Sequence, residues 1–423
     1  MAEMARFARP LALLFPLLWA VACAEQAPEV VRTPTPPLPT TTAPRATATP
    51  LPGSGAAAPV VADESAPSPS PTPAYDPDSP RAVAPYRGIW LAQQELEQLP
   101  MSGAAWENLL AAADQPLPGP DIADQDDMSD VYLLARALVY ARTGNPRYRE
   151  AVLDGIEAVM GAEGNPRKTG ILAVARNLPG YVIAADLANL SAESGLGPAF
   201  RRWLETMRTT TFHGSGGSYT LSGCHETRPN NFGTHCGAAR IAIDLYLGDE
   251  EDLERAATVF EGWLGNRDAY AGFIYGRATW QANPGTPVGI NPPGAEIAGY
   301  DVGGALPEEM RRAGDFRWPP KRTQYAWEAL QGAVVQAELL SRAGYPAWQW
   351  EEQALLRAVQ FLHAIEWEAQ GDDQWQPWLI NAAYGADFPA HSPARPGKNM
   401  GWTDWTHGQT SREQAGNGAN ADG

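Results

Sequence analysis

Asp130-Val131-Tyr132-Leu133-Leu134-Ala135-Arg136-Ala137-Leu138-Val139-Tyr140-Ala141-Arg142-Thr143-Gly144-Asn145-Pro146 is the stretch from which the fold is read. Val131, Leu134, Leu138 and Ala141 recur at helical spacing on one face, so 130–142 is predicted to be an amphipathic helix. Gly144-Asn145-Pro146 ends it. The pattern restarts at once, with Val152, Ile156 and Val159 marking a second helix over 148–160. Further helices are expected over 171–190, 198–209, 238–247, 251–264, 324–342 and 347–365.

Two more short glycine turns join helices, Leu247-Gly248-Asp249 and Arg342-Ala343-Gly344-Tyr345-Pro346. Such turns make helical hairpins. Strand-like alternation is scarce, and no fixed sequence period marks a regular solenoid. The expected fold class is therefore all-α, an incomplete (α/α) toroid of helical hairpins covering 86–408. Two long stretches, 270–304 and 374–408, are rich in Gly, Pro and aromatics. They hold Tyr270, Phe273, Tyr275, Trp280, Tyr300, Trp375, Trp378, Trp402 and Trp405. Exposed rings there would stack on sugar faces; the other reading is that they pack the loops onto the helices.

The chain ends differ from this middle. Arg6 and Arg9 precede an apolar run, Leu11 to Ala22, too short to span a membrane comfortably. Residues 1–22 are read as an export signal. Ala20-Val21-Ala22-Cys23 resembles a lipoprotein box with Cys23 as the lipidated residue, although Ala20 stands where leucine is usual. From 23 to 85 the chain is Pro-, Thr-, Ser- and Ala-rich, with almost no large apolar residues, which predicts a disordered tether. Residues 409–423 are read as a loose tail. The expected location is outside the cytoplasm, either lipid-anchored at the cell surface or secreted, with the anchor as the only membrane contact. A net charge of −18 argues against nucleic acid as a partner.

Cys224-His225-Glu226-Thr227-Arg228-Pro229-Asn230-Asn231-Phe232-Gly233-Thr234-His235-Cys236 is chemically the densest segment. In an exported chain, the even pair Cys224 and Cys236 suggests a disulfide that would brace this loop by about 2–3 kcal/mol. A Cys2His2 zinc site is the alternative, but adjacent Cys-His pairs make poor tetrahedral geometry. No metal and no cofactor is expected.

A second motif, Leu306-Pro307-Glu308-Glu309-Met310-Arg311-Arg312-Ala313-Gly314, precedes Thr323-Gln324-Tyr325-Ala326-Trp327-Glu328-Ala329-Leu330. With Asn230-Asn231 earlier in the chain, this order resembles the alginate-lyase family of polysaccharide lyases. There a Leu-Pro-x-Glu-x-x-Arg-Gly segment leads to a helix opening on tyrosine, and an Asn-Asn-His segment comes first. The resemblance covers roughly 230–340 and implies an α/α-toroid enzyme that cleaves uronic-acid polymers by β-elimination. It implies that Asn231 and Arg312 neutralise the sugar carboxylate while Tyr325 moves protons. The family's histidine position holds Phe232 here. His235 is favoured for that role, His225 is the other candidate, and Tyr325 alone could carry both transfers.

Arg228, Asn230, His225, Tyr300 and Arg311 are further candidates for substrate contact. The run Arg311, Arg312, Arg317, Lys321 and Arg322, against Asp315 alone, gives an acidic protein a local basic patch for an anionic polysaccharide. The enzyme is expected to act as a monomer. Two other readings stay open. An (α/α)-toroid glycoside hydrolase would need two flanking carboxylates, from Glu308, Glu309, Asp301, Asp387 and Asp404. A non-catalytic, surface glycan-binding lipoprotein would use the same aromatic loops and tether.

Overall fold

The computed structural model describes residues 88–408. The expected signal peptide, the expected lipidation site Cys23, the whole 23–85 tether and the 409–423 tail lie outside the described residues. Among those described, fourteen α-helices follow one another. They are α1 (Gln93–Gln98), α2 (Ala104–Asp114), α3 (Ser129–Thr143), α4 (Pro146–Val159), α5 (Ile171–Leu187), α6 (Leu196–Thr209) and α7 (Leu221–Thr227). Then come α8 (Asn231–Leu247), α9 (Glu250–Leu264), α10 (Pro307–Met310), α11 (Tyr325–Arg342), α12 (Trp350–Ala364), α13 (Gln376–Tyr384) and α14 (Thr403–Thr406). Strand is confined to two small antiparallel hairpins, β1 (Phe212–Gly214) with β2 (Gly217–Tyr219) and β3 (Glu296–Ile297) with β4 (Tyr300–Asp301).

The helices fall into two kinds. α3, α5, α8 and α11 are buried around almost their whole circumference. They pack side by side in that order, the α8–α11 and α5–α8 contacts being the most extensive. A helix apolar all round belongs inside, whereas one with a single apolar stripe lies at the surface. α4, α6 and α9 bury one stripe each and lie outside this row. Among the described residues no helix is long and apolar enough to cross a membrane.

The hairpin turns work as their residues dictate. Gly144 takes a left-handed conformation (φ 69°) and its N–H donates to the Tyr140 carbonyl at 2.7 Å. Asn145 then caps α4 by accepting from the Arg147 N–H at 3.1 Å, with Pro146 at the first helical position. Gly248 (φ 73°) and Asp249 repeat this device between α8 and α9.

Two expectations change. First, α8 begins at Asn231 rather than at 238, and 221–227 is helical as well, so the Cys224–Cys236 segment is two helices joined by a short link. Its two cysteines are free thiols, fully buried and in sulfur contact across the α7–α8 interface, instead of a disulfide bracing a loop. Burial holds the Cys236 thiol well above its usual range, which disfavours the thiolate that disulfide chemistry requires.

Second, 374–408 is not an exposed aromatic loop. It contains α13, and the segment from 397 to 408 runs through the interior, with Trp375, Trp402 and Trp405 all buried. Lys398 Nζ donates to Asp130 Oδ1 and Asn177 Oδ1 at 2.5 Å each, tying this segment to α3 and α5. Trp402 Nε1 donates to the Val131 carbonyl at 3.2 Å and Trp405 Nε1 to that of Pro100 at 2.9 Å. Each indole thus keeps its polar handle satisfied while burying the ring.

Candidate active site

Three chain segments converge at the N-terminal ends of α8 and α11. Asn231 opens α8, and its backbone N–H donates to Glu309 Oε1 at 2.5 Å. A helix start leaves four N–H groups without partners, and a carboxylate there is favoured by the helix dipole as well. Pro307 initiates the short α10, and a single 3₁₀ turn continues it to Ala313. That turn sets Arg312 three residues beyond Glu309, with Nη1 3.5 Å from Glu309 Oε2. The same Nη1 donates to Asn231 Oδ1 at 3.1 Å. The Arg312 guanidinium also lies 3.4 Å from the centre of the Tyr325 ring, at the first position of α11. Asn231, Arg312 and Tyr325, placed together by resemblance, are therefore neighbours.

Glu309 was named in the sequence only as a hydrolase carboxylate. It is buried, and burial pushes its carboxyl up to about 7 against the opposing pull of Arg312 and the Asn231 N–H. Its signal in the sequence was the i, i+3 spacing to Arg312.

One helical turn deeper lies a second group. His235 is four residues along α8 from Asn231, and Glu328 is three along α11 from Tyr325. His235 is fully buried, with Nδ1 3.2 Å from the Asn399 amide. Its Nε2 lies 4.0 Å from Glu328 Oε2, beside the Glu328 backbone, without a hydrogen bond of ordinary geometry. Burial first, then the Arg176 charge, hold the imidazole well below its usual range, so the ring is neutral. Arg176, on α5, pairs with Asp372 at 2.8 Å and lies 3.7 Å from Glu328 and 3.9 Å from Asp126. Burial raises the Glu328 carboxyl, while Arg176 lowers it and the Arg312 charge reaches it too. None of this deeper group except His235 was legible in the sequence.

The remaining candidates are placed elsewhere or already engaged. His235 has no exposed surface, so a direct proton transfer between its ring and a sugar is out of reach in this conformation. His225, on α7 six residues before Asn231, is buried in the α7–α8 contact: a Cβ on Gly237 would come within 2.6 Å of its Nε2 and 2.4 Å of Gln336 Oε1. Arg311 is held by Glu308, its Nε and Nη2 at 2.7 and 2.6 Å from Oε2, while Glu308 Oε1 accepts from the Gly276 N–H at 2.8 Å. That pair fastens the 270–276 loop.

Arg228 donates to the Tyr219 hydroxyl at 3.4 Å, and its guanidinium lies 5.9 Å from the Phe232 ring centre. Phe232 thus packs beside Arg228 on the first turn of α8. Asn230 caps the same helix and is buried, with its Oδ1 unpaired. Tyr300 is exposed on the β3–β4 hairpin and stacks on Trp318, ring centres 5.0 Å apart. Cys224, His225, His235 and Cys236 do not converge on one point: the two rings face Gln336 and Asn399 respectively. Among the described residues no group of three or more His, Cys, Asp or Glu is placed to hold a metal ion. A cavity of about 430 Å³ is bounded by residues that include Arg267, Asn283, Asn291, Glu351 and Arg357, and none of the converging residues lines it.

No known family model matches the chain, and no characterised protein matches it in sequence. The lyase resemblance therefore stands on the residues quoted above and on their convergence.

Proposed function

We propose that this protein is a polysaccharide lyase that cleaves a uronic-acid polymer by β-elimination, on an incomplete (α/α) toroid. One observation carries the reading: Asn231, Arg312 and Tyr325, from three separate segments, meet within hydrogen-bonding and stacking distance. The α3–α5–α8–α11 row with outer helices supports the toroid.

Because Asn231 Oδ1 accepts from Arg312, its Nδ2 is the end of the amide left to donate. An amide donor and a guanidinium are the groups that quench a sugar carboxylate and make the neighbouring C5 proton removable. Tyr325, half-buried under the Arg312 guanidinium, supplies the oxygen for proton transfer. The C5–H bond breaks toward that oxygen, its electron pair forms the C4–C5 double bond, and the C4–O bond breaks. The same phenol then gives its proton to the departing oxygen. With one group serving both steps, proton and leaving group depart from one face, a syn elimination.

The test is ultraviolet absorbance of the unsaturated product across a panel of uronic-acid polymers, with Tyr325→Phe and Asn231→Ala as controls. Absorbance lost in Tyr325→Phe supports the reading. New reducing ends without absorbance would replace it by a hydrolase. Glycan affinity with no turnover would make the protein a binder. We further propose that Cys23 carries the lipid anchor and the 23–85 tether holds the enzyme off the surface as a monomer. Release of a Cys23→Ala variant into the medium tests the anchor.

A further inference from the structure

The two layers of the site carry opposite charge, and this bears on the polymer. The outer layer is cationic in excess: Arg312 faces Glu309, whose carboxyl is buried and only partly ionised near neutrality. The inner layer is anionic in excess: the single guanidinium of Arg176 is shared among Asp372, Glu328 and Asp126, and Asp372 and Asp126 outnumber it even though burial raises the Glu328 carboxyl. These three carboxylates reach solvent, their side chains being 38%, 19% and 77% exposed, while Arg176 is buried behind them. Buried His235 Nε2, 4.0 Å from Glu328 Oε2, is aimed into the cluster without a hydrogen bond of ordinary geometry. The layers are one helical turn apart on both α8 and α11, a rise of about 5.4 Å, the scale of one pyranose ring.

We propose that the sugar next to the bound uronate is uncharged, its hydroxyls meeting Glu328, Asp372 and Asp126, so that the substrate alternates a uronate with a neutral sugar. The inference rests on the eliminative reading above. A carboxylate oxygen accepts strongly from a sugar hydroxyl, whereas a second uronate there would set like charges together in a site of reduced dielectric. A polyuronate homopolymer meets that repulsion at every register, and an alternating polymer escapes it in one of its two registers.

The experiment compares initial rates of unsaturated-product formation on homopolymers of mannuronate, guluronate and glucuronate with those on a polymer alternating glucuronate and a neutral N-acetylhexosamine. The concentration of uronate units is matched throughout. The expected kcat/KM is at least tenfold higher on the alternating polymer. Asp372→Asn, and separately the more exposed Asp126→Asn, are expected to narrow that ratio at least threefold by raising the homopolymer rate. Equal or faster cleavage of a homopolymer overturns the proposal and leaves the lyase intact. So does a ratio that neither variant moves. No unsaturated product from any polymer overturns the eliminative reading itself, and this proposal with it.

Discussion

Replacing Glu309 by Gln should make the protein more stable at alkaline pH and no more stable at acid pH. The Glu309 carboxyl is buried and raised from an ordinary 4.5 to about 7, by burial outweighing Arg312 and the Asn231 N–H. Its folded form therefore holds a proton more tightly than its unfolded form. Stability from this residue is complete below pH 4.5, falls as pH rises through 7, and is flat beyond. A rise of about 2.5 units at about 1.36 kcal/mol each is worth about 3 kcal/mol. Gln keeps a carbonyl oxygen for the Asn231 N–H and carries no charge, so it mimics the protonated acid at every pH. Urea denaturation of both proteins from pH 4 to 9 at fixed ionic strength measures the effect. Other shifted groups, such as Asp244 at about 8 and Glu338 at about 2, are common to both chains and cancel in the difference. The difference curve should be near zero at pH 4 and climb to about 3 kcal/mol in favour of Gln by pH 8. A flat curve, or one favouring Glu at pH 8, refutes the reasoning: the Arg312 pair would then outweigh the cost of burial.

Lys398→Ala leaves the fully buried Asp130 without its counter-charge and should cost about 3–5 kcal/mol in denaturation; adding Asp130→Asn should recover most of it, and a single-variant loss under 1 kcal/mol would contradict the pairing. Gly233→Ala would put a Cβ 1.7 Å from the Arg228 carbonyl oxygen, a backbone atom. It should therefore displace the start of α8, cost at least about 1–3 kcal/mol and depress turnover along with Asn231, whereas wild-type stability and activity would show that the two segments do not touch. Unfolded without reductant, the chain should titrate thiols from Cys224 and Cys236 together, and a thiol count that leaves this pair out would show them bonded.

The hairpins were legible because their signals are local. Gly144 needs only its own left-handed backbone, and Asn145 caps a helix two residues away. The start of α8 was not legible, because residues 231–237 include two glycines, a threonine and a histidine, all poor helix formers. What holds them helical is tertiary: Gly233 lets the Arg228 carbonyl close in, and Gly237 admits Gln336 and His225. The 397–408 segment misled for a related reason. Gly-Trp-Thr-Asp-Trp-Thr-His reads as a wet, aromatic loop until Val131 and Pro100 supply carbonyls for both indoles. In the site, Asn231, Arg312 and Tyr325 were within reach because a family pattern names them. Arg176, Glu328 and Asp372 belong to three elements with no shared motif, and only packing relates them.

That α8 starts at Asn231 changes what this residue can do. In a loop, its amide could turn either end toward a ligand. At the first position of a helix, its backbone N–H is tied to Glu309 and its Oδ1 to Arg312, which is itself pressed onto Tyr325. In the proposed lyase the amide would thereby be oriented before any sugar arrives, and no reorganisation would be needed as charge develops on the substrate carboxylate. The same network couples the three groups: an altered Glu309 moves the partner of both Asn231 and Arg312. Loss of catalysis on substituting Glu309 should therefore appear in kcat more than in KM, although its buried carboxylate has no exposed route to the sugar.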